Sequence, residues 1–288
     1  MAMNIVDVRA NKGDSSFIVD DGKTAILYDS GFGFTADIVA KNIKNYLGER
    51  NLDYIFLTHS HYDHALGSAR LAQLFPNAKV VAGEYAKKIF AKDSARSLMR
   101  ELDSKFAKKC GVCDYKDYTP FLRADICVSD GDAVKTPTMD FEVIALPGHT
   151  KCSIAFYNKK EKLLLACETL GVFNGKDDVV PSYLVGYQMT LDSIEKAQKL
   201  EIEKVLVPHY GLLTGDMAKF YLKRAKQSAV ETAEEVVGLL KNNTPKEEIL
   251  EMFKKKFYHG YVKEIYPVDA MELNTSITIN LLEKELIK

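Results

Sequence analysis

Several common features are scarce in this chain, and each scarcity excludes something. Its 288 residues carry 39 lysines and arginines against 40 aspartates and glutamates, a formal net charge of −1. That balance creates no basic field for nucleic acid. The short run Lys254-Lys255-Lys256 reads as the solvated face of a helix. No stretch reaches the ~18 apolar residues needed to cross a membrane. The opening MAMNIVDVRANKGDSS lacks the basic-then-apolar order of an export signal. Cysteine occurs five times, an odd number, and in a chain read as leaderless this leads us to expect reduced thiols and a cytoplasmic location. Cys110 and Cys113 form a C-x-x-C, but no second pair completes a four-sulfur zinc site, and the pair ends a charged helical run where a redox pair would open a helix. We read them as ordinary thiols. Repeats and low-complexity linkers are missing too. With 47% hydrophobic residues, the chain has the means to bury a substantial core.

What is present alternates. NIVDVRA and SSFIVDDGKTAILYDSG are strand-like, with a hairpin turn at Asp21-Gly22. Helical spacing takes over at 35–47, with Ile38, Val39, Ile43, Tyr46 and Leu47 on one face. DYIFLT (53–58) reads as a buried strand, 64–75 as a helix stopped before Pro76, and AKVVAG as the next strand. Residues 84–123 read as a charged, mostly helical insertion. The β pattern returns in MDFEVIALPGHT, CSIAFYN and LLLACETLG, and a helix at 188–200 leads to the strand KVLVP. The remainder is helical: a long helix over 216–242, another opened by Thr244-Pro245-Lys246-Glu247 in the form of a capping box with proline first, and a last one over 269–286. This pattern predicts a mixed α/β body over 1–215 and a helical extension over 216–288 packed on it.

Histidine, present only six times, is spent unevenly. Three fall in FLTHSHYDHALG (56–67), with an aspartate beside the last. His59 and His61 end an apolar strand, where residues two apart point the same way and can reach one metal ion. Asp63 and His64 follow as the chain turns into a helix, where they can serve a second ion a few ångströms away. His149 in LPGHT and His209 in VLVPHYG also sit directly after strands, where α/β folds gather functional side chains. H-x-H-x-D-H is thus a layout for two metals.

This set, His59-Ser60-His61-Tyr62-Asp63-His64, then His149, then the acidic residue of ACETLG, then His209, resembles the metallo-β-lactamase superfamily of metallohydrolases. LYDSG (27–31) is similar to the family's early strand ending in aspartate and glycine. The resemblance runs from about residue 4 to 211. It implies a four-layer αββα sandwich with a dinuclear site at one edge of its two sheets. By motif position, His59, His61 and His149 would hold one ion, and Asp63, His64 and His209 the other. Glu168 stands where the family normally has a bridging aspartate. It is open as a bridge, as a ligand to one ion only, or as a rim residue. Asp29 and Asp132 are candidates to support a metal-bound imidazole from behind, Asp132 equally as a turn residue. Tyr210 is open as a residue leaning over the second ion or as loop packing, and His259 reads as a surface histidine.

The resemblance, to the glyoxalase-II-like branch in particular, implies a hydrolase in which a hydroxide on two metals attacks a small ester, thioester or lactone, with Asp63 orienting it and helping to pass a proton to the leaving group. Zinc is the default metal, and imidazole and carboxylate donors also suit iron and manganese. Two alternatives stand beside it: hydrolysis of a small phosphodiester, and a low-turnover ligand-binding or regulatory protein that keeps the metal site. A small-molecule substrate is expected, with no nucleic acid and no membrane. A homodimer through the tail or the insertion is compatible with the sequence.

Overall fold

A computed structural model describes residues 3–287. The chain divides into two compact units, one running to Ile144 and including Ile154–Lys159, the other formed by Ala145–Ser153 and the chain from Lys160 onward. Its described strands lie in two six-stranded sheets and one two-stranded ribbon. No described helix is long and apolar enough to cross a membrane.

In the first unit, β1 (Asn4–Asp7), β2 (Phe17–Asp20), β3 (Ala25–Tyr28), β4 (Tyr54–Phe56), β5 (Lys79–Gly83) and β6 (Ile126–Val128) form a sheet in sequence order. The first three strands are antiparallel and the rest parallel. Strands β2 and β3 are buried at every position. A strand covered on both faces needs apolar residues throughout, which explains the unbroken FIV and AIL runs. The predicted hairpin turn is present: Asp21 Oδ1 accepts from the N–H groups of Lys23 and Thr24. Helices α1 (Ala36–Leu47), α2 (Tyr62–Leu74), α3 (Glu84–Phe90) and α4 (Asp93–Lys109) follow, the last two within the charged insertion. Strands β7 (Ala133–Lys135), β8 (Asp140–Ala145) and β9 (Ile154–Asn158) complete the unit, β7 and β8 as an antiparallel pair. The face of α1 differs from the one predicted. Ala36, Val39, Ala40, Ile43 and Leu47 are buried, while Ile38 is 53% exposed, because at 100° per residue position 38 falls off that stripe.

The second unit contains β10 (Leu163–Leu165), β11 (Val172–Phe173), β12 (Val179–Val180), β13 (Lys204–Val207) and β14 (Gly211–Thr214). β10 and β13 are parallel, β13 and β14 antiparallel, and β11 pairs with β12. Its helices are α5 (Tyr187–Gln198), α6 (Gly215–Lys241), α7 (Lys246–Phe257), α8 (Gly260–Ile265) and α9 (Val268–Leu286). The capping-box reading of Thr244 is corrected. Pro245 keeps an extended ψ of 140° and is itself the cap, so α7 begins at Lys246. The short elements β11, β12, β14 and α8 were not legible in the sequence. Val172, Val180, Phe253, Phe257, Val262, Ile265 and Met271 form an apolar cluster of this unit, with Tyr258, Tyr261 and Tyr266 packed against it.

Two features of the first unit fix the start of α2. His61 is extended and caps the helix, which opens at Tyr62, two residues earlier than the spacing predicts. Asp63 therefore lies in the first turn, where the helix dipole favours an anion. Behind it, Ser30 N–H and Oγ both donate to the carbonyl of His64, and the Gly67 N–H donates to the carbonyl of Gly31. The approach is so close that a Cβ on Gly67 would stand 2.0 Å from the Ser30 carbonyl oxygen. Gly67→Ala is expected to lower stability by about 3 kcal/mol through overpacking against backbone that cannot yield, measured by urea denaturation.

The insertion is tied down by a carboxyl group. Asp103 on α4 is fully buried and accepts from the Gly33 N–H at 3.1 Å. Burial, reinforced by the nearby Asp14 carboxyl, raises its pKa from 3.8 to about 7. In the folded chain Asp103 keeps its proton to about pH 7, whereas an unfolded aspartate releases it near pH 4. Its contribution to stability is full below pH 4 and is lost as pH rises through 7. Thermal melts should show stability declining between about pH 4 and 7, with a shallower decline in Asp103→Asn.

Candidate metal centre

In the first unit, β4 ends at Phe56 and the chain continues through Thr58 to His61 before α2 begins. His59 and His61 lie with ring centroids 4.7 Å apart, and His59 and His64 with centroids 4.1 Å apart. Asp63 Oδ2 is 3.8 Å from His64 Nε2. Behind these rings stands Asp29, fully buried just after β3 with a left-handed φ of 51°. Its carboxylate accepts from the Thr58 N–H at 2.8 Å, from Thr58 Oγ1 and from Ser15 Oγ. It also accepts from His64 Nδ1 at 2.7 Å. A carboxylate can only accept, so Nδ1 carries the proton and Nε2 is the ligand-competent nitrogen of the neutral ring. His59 Nδ1 is engaged by Thr58 Oγ1 at 3.0 Å. Thr58 thereby links the two imidazoles through one aspartate.

The second unit builds its donors differently. Gly148, directly before His149, has a φ of 145°, and a Cβ there would lie 2.2 Å from Thr190 Oγ1 on α5. Only glycine lets the chain run this close to the helix. The His149 N–H reaches Thr169 Oγ1, while its Nδ1 lies 2.8 Å from Ser182 Oγ and 3.1 Å from the Ser182 carbonyl oxygen. Glu168 opens a 3-10 turn after β10 and is 3% exposed. Its Oε2 lies 2.8 Å from His149 Nε2, and its Oε1 lies 3.4 Å from His209 Nε2. His209 sits in the β13–β14 turn with a φ of 61°. Two tyrosines, one in the first turn of α8 and one directly after it, add to the arrangement. Tyr261 donates its hydroxyl to the His209 carbonyl, and Tyr266 donates to Glu168 Oε1.

The first unit thus gathers donor atoms from His59, His61, Asp63 and His64, and the second from His149, Glu168 and His209. The other candidates lie elsewhere. Asp132 accepts from the Ser129 N–H in a turn. Tyr210 packs edge-on against Phe173 and Tyr261. His259 is exposed and caps α8. Thr58, Ser182 and Tyr266 went unnoticed in the sequence, where nothing in their spacing marks them. Only the position of Thr58, one residue before HSHYDH, offered a signal.

The family model described as Metallo-beta-lactamase superfamily matches residues 10–209. Among curated relatives, a hydroxyacylglutathione hydrolase of Francisella tularensis subsp. holarctica is 25% identical over 181 residues, 61% of this chain and 57% of the relative. The hydroxyacylglutathione hydrolase GloC of Haemophilus influenzae is 25% identical over 170 residues, 59% of this chain and 72% of the relative. The match thus spans little more than half the length of the first of these relatives. Among solved structures, a metallo-beta-lactamase family protein from Thermus thermophilus superposes with a TM-score of 0.63 at 18% identity, covering 98% of this chain and 93% of that one. An archaeal metallo-beta-lactamase superfamily protein from Sulfolobus tokodaii gives 0.60 at 18%, covering 99% of both chains. These likenesses establish the fold.

Truncating Asp29 to Ala would strand the buried Thr58 N–H and the His64 Nδ1–H together. Asp29→Ala is expected to cost about 3 kcal/mol in chemical denaturation of metal-free protein, and Asp29→Asn less, since its amide oxygen still accepts from Thr58.

Proposed function

We propose, on the premise that this chain belongs to the metallo-beta-lactamase superfamily, that it is a metal-dependent hydrolase of a small ester, thioester or lactone. The observation that carries the reading is that each unit gathers imidazoles and carboxylates of its own, with Glu168 presenting one oxygen to His149 and the other to His209. In this reading, by motif position, His59, His61 and His149 would hold one ion, Asp63, His64 and His209 would hold a second, and Glu168 would add a carboxylate ligand. The donors fit such a pair. Imidazole and carboxylate suit zinc, iron and manganese, and Nδ1 of His59, His64 and His149 is held by side-chain or backbone oxygens, as ligating histidines require. Bound there, two divalent ions would supply Lewis acidity and water activation at neutral pH.

The chain's own groups then have distinct tasks. The buried histidines and Glu168 orient and exclude bulk water. The Asp63 side chain is 14% exposed, against 4% for Glu168, so Asp63 is the carboxylate placed to accept a proton from attacking water and pass it to the leaving group. No side-chain nucleophile is needed.

Acyl rather than phosphoryl chemistry is supported by a small apolar pocket of the second unit. Its lining includes Val172, Val180, Leu184, Phe253 and Met271, and none of its lining residues is basic. Ser182 and Tyr266 also line it, and these are the residues bonded to His149 and Glu168. Such a wall suits a small apolar acyl group and offers a phosphate no counter-charge. The matched curated relatives carry the name of a hydrolase of acylated glutathione.

Metal analysis by plasma mass spectrometry, run with a panel of small esters, thioesters, lactones and phosphodiesters on the same sample, tests the proposal. About two ions per chain and turnover of an acyl substrate are expected. Turnover confined to a phosphodiester would replace the acyl reading. One ion or none after reconstitution with excess metal, without turnover, would point to a ligand-binding protein.

A further inference from the structure

Glutamate carries one more side-chain torsion than aspartate, and a ligand with that freedom must be held by something. Two imidazoles face the Glu168 carboxylate, one per oxygen. A third group, the Tyr266 hydroxyl, donates to the oxygen that faces His209. Nothing in the histidine motif requires this tyrosine, which lies 98 residues further along the chain.

The chain around Tyr266 is built to hold it in place. Tyr266 follows α8 in an extended conformation, φ −112° and ψ 131°. The next residue is Pro267, whose ring disfavours helical backbone in the residue before it. The Tyr266 carbonyl accepts from the Tyr258 hydroxyl at 3.0 Å. Its ring packs on the apolar cluster that includes Phe253, Phe257 and Met271, and lies edge-on to His209 with centroids 5.5 Å apart. At the other end of α8, Tyr261 bonds the His209 backbone. The C-terminal helices thus anchor one donor by its side chain and another by its main chain.

We infer that Tyr266 is a positioning residue for the metal centre, fixing the long Glu168 side chain in its ligating orientation through a hydroxyl–carboxylate hydrogen bond. The inference rests on the metal reading above. It makes the C-terminal helices part of the centre's construction, and it explains how glutamate serves where the resembling family normally has aspartate. A residue acting in this way usually changes metal affinity 10- to 100-fold when removed.

The test is zinc binding by metal-free protein in competition with a chromophoric chelator, for wild type, Tyr266→Phe, Glu168→Asp and the double variant. Tyr266→Phe should weaken zinc binding at least ~10-fold. The phenyl ring still fills its space, so the circular dichroism of the metal-free protein should be unchanged. In the Glu168→Asp background, where the shorter carboxylate no longer meets the phenol, adding Tyr266→Phe should change zinc affinity by less than about twofold, because the interaction it removes is already gone. Wild-type affinity in Tyr266→Phe, or an equal loss in both backgrounds, overturns the inference and leaves the metal reading standing. A wild-type chain that takes up neither zinc, iron nor manganese overturns both.

Discussion

A buried carboxylate must be surrounded by donors, and the second unit is organised around meeting that demand for Glu168. Its oxygens meet His149 from the loop after β8, His209 from the β13–β14 turn and Tyr266 from the segment after α8. These segments are distant in sequence, so the demand can be met only after β10, β13 and the C-terminal helices have taken their places. Strand pairing, the glycine that lets the chain pass α5, and the left-handed His209 all bring donors to this one side chain.

The first unit solves the same problem around Asp29, with the charge on the supporting side. Asp29 collects four donors, among them the ring N–H of His64 and both donors of Thr58. The aspartate settles which nitrogen His64 presents, and Thr58 transmits order to His59. Each unit therefore orders its own donors with its own hydrogen bonds. In both, a non-glycine residue adopts a left-handed backbone, Asp29 in one and His209 in the other. Such conformations persist where the surroundings over-determine them, and they cluster at functional positions.

Much of this was legible in the sequence because it is local. The H-x-H-x-D-H spacing combines a period of two with a helix start, and both periodicities survive folding intact. Asp29 could be found because it ends an apolar strand. The long helices announced themselves by their spacing, and β2, β3 and β4 by apolar runs, while β11, β12, β14 and α8 are too short to show a period. Tyr266 and Ser182 stayed hidden for another reason. Their roles depend on contacts across 98 and 33 residues, and a tyrosine among fifteen tyrosines carries no mark of its partner. Ile38 was misplaced by an angular error of one position on a helix, and Thr244 by a capping pattern that Pro245 overrides.

The distance between Glu168 and Tyr266 also has a meaning in time. A ribosome adds roughly 5–20 residues per second, so the phenol is made roughly 5–20 s after the carboxylate it will hold. During that interval the nascent chain carries Glu168 without Tyr266, and the apolar cluster beneath Tyr266 is still missing residues from α7, α8 and α9. The order in which the chain is made thus separates synthesis of the histidine motif from arrival of the segment that carries Tyr261 and Tyr266.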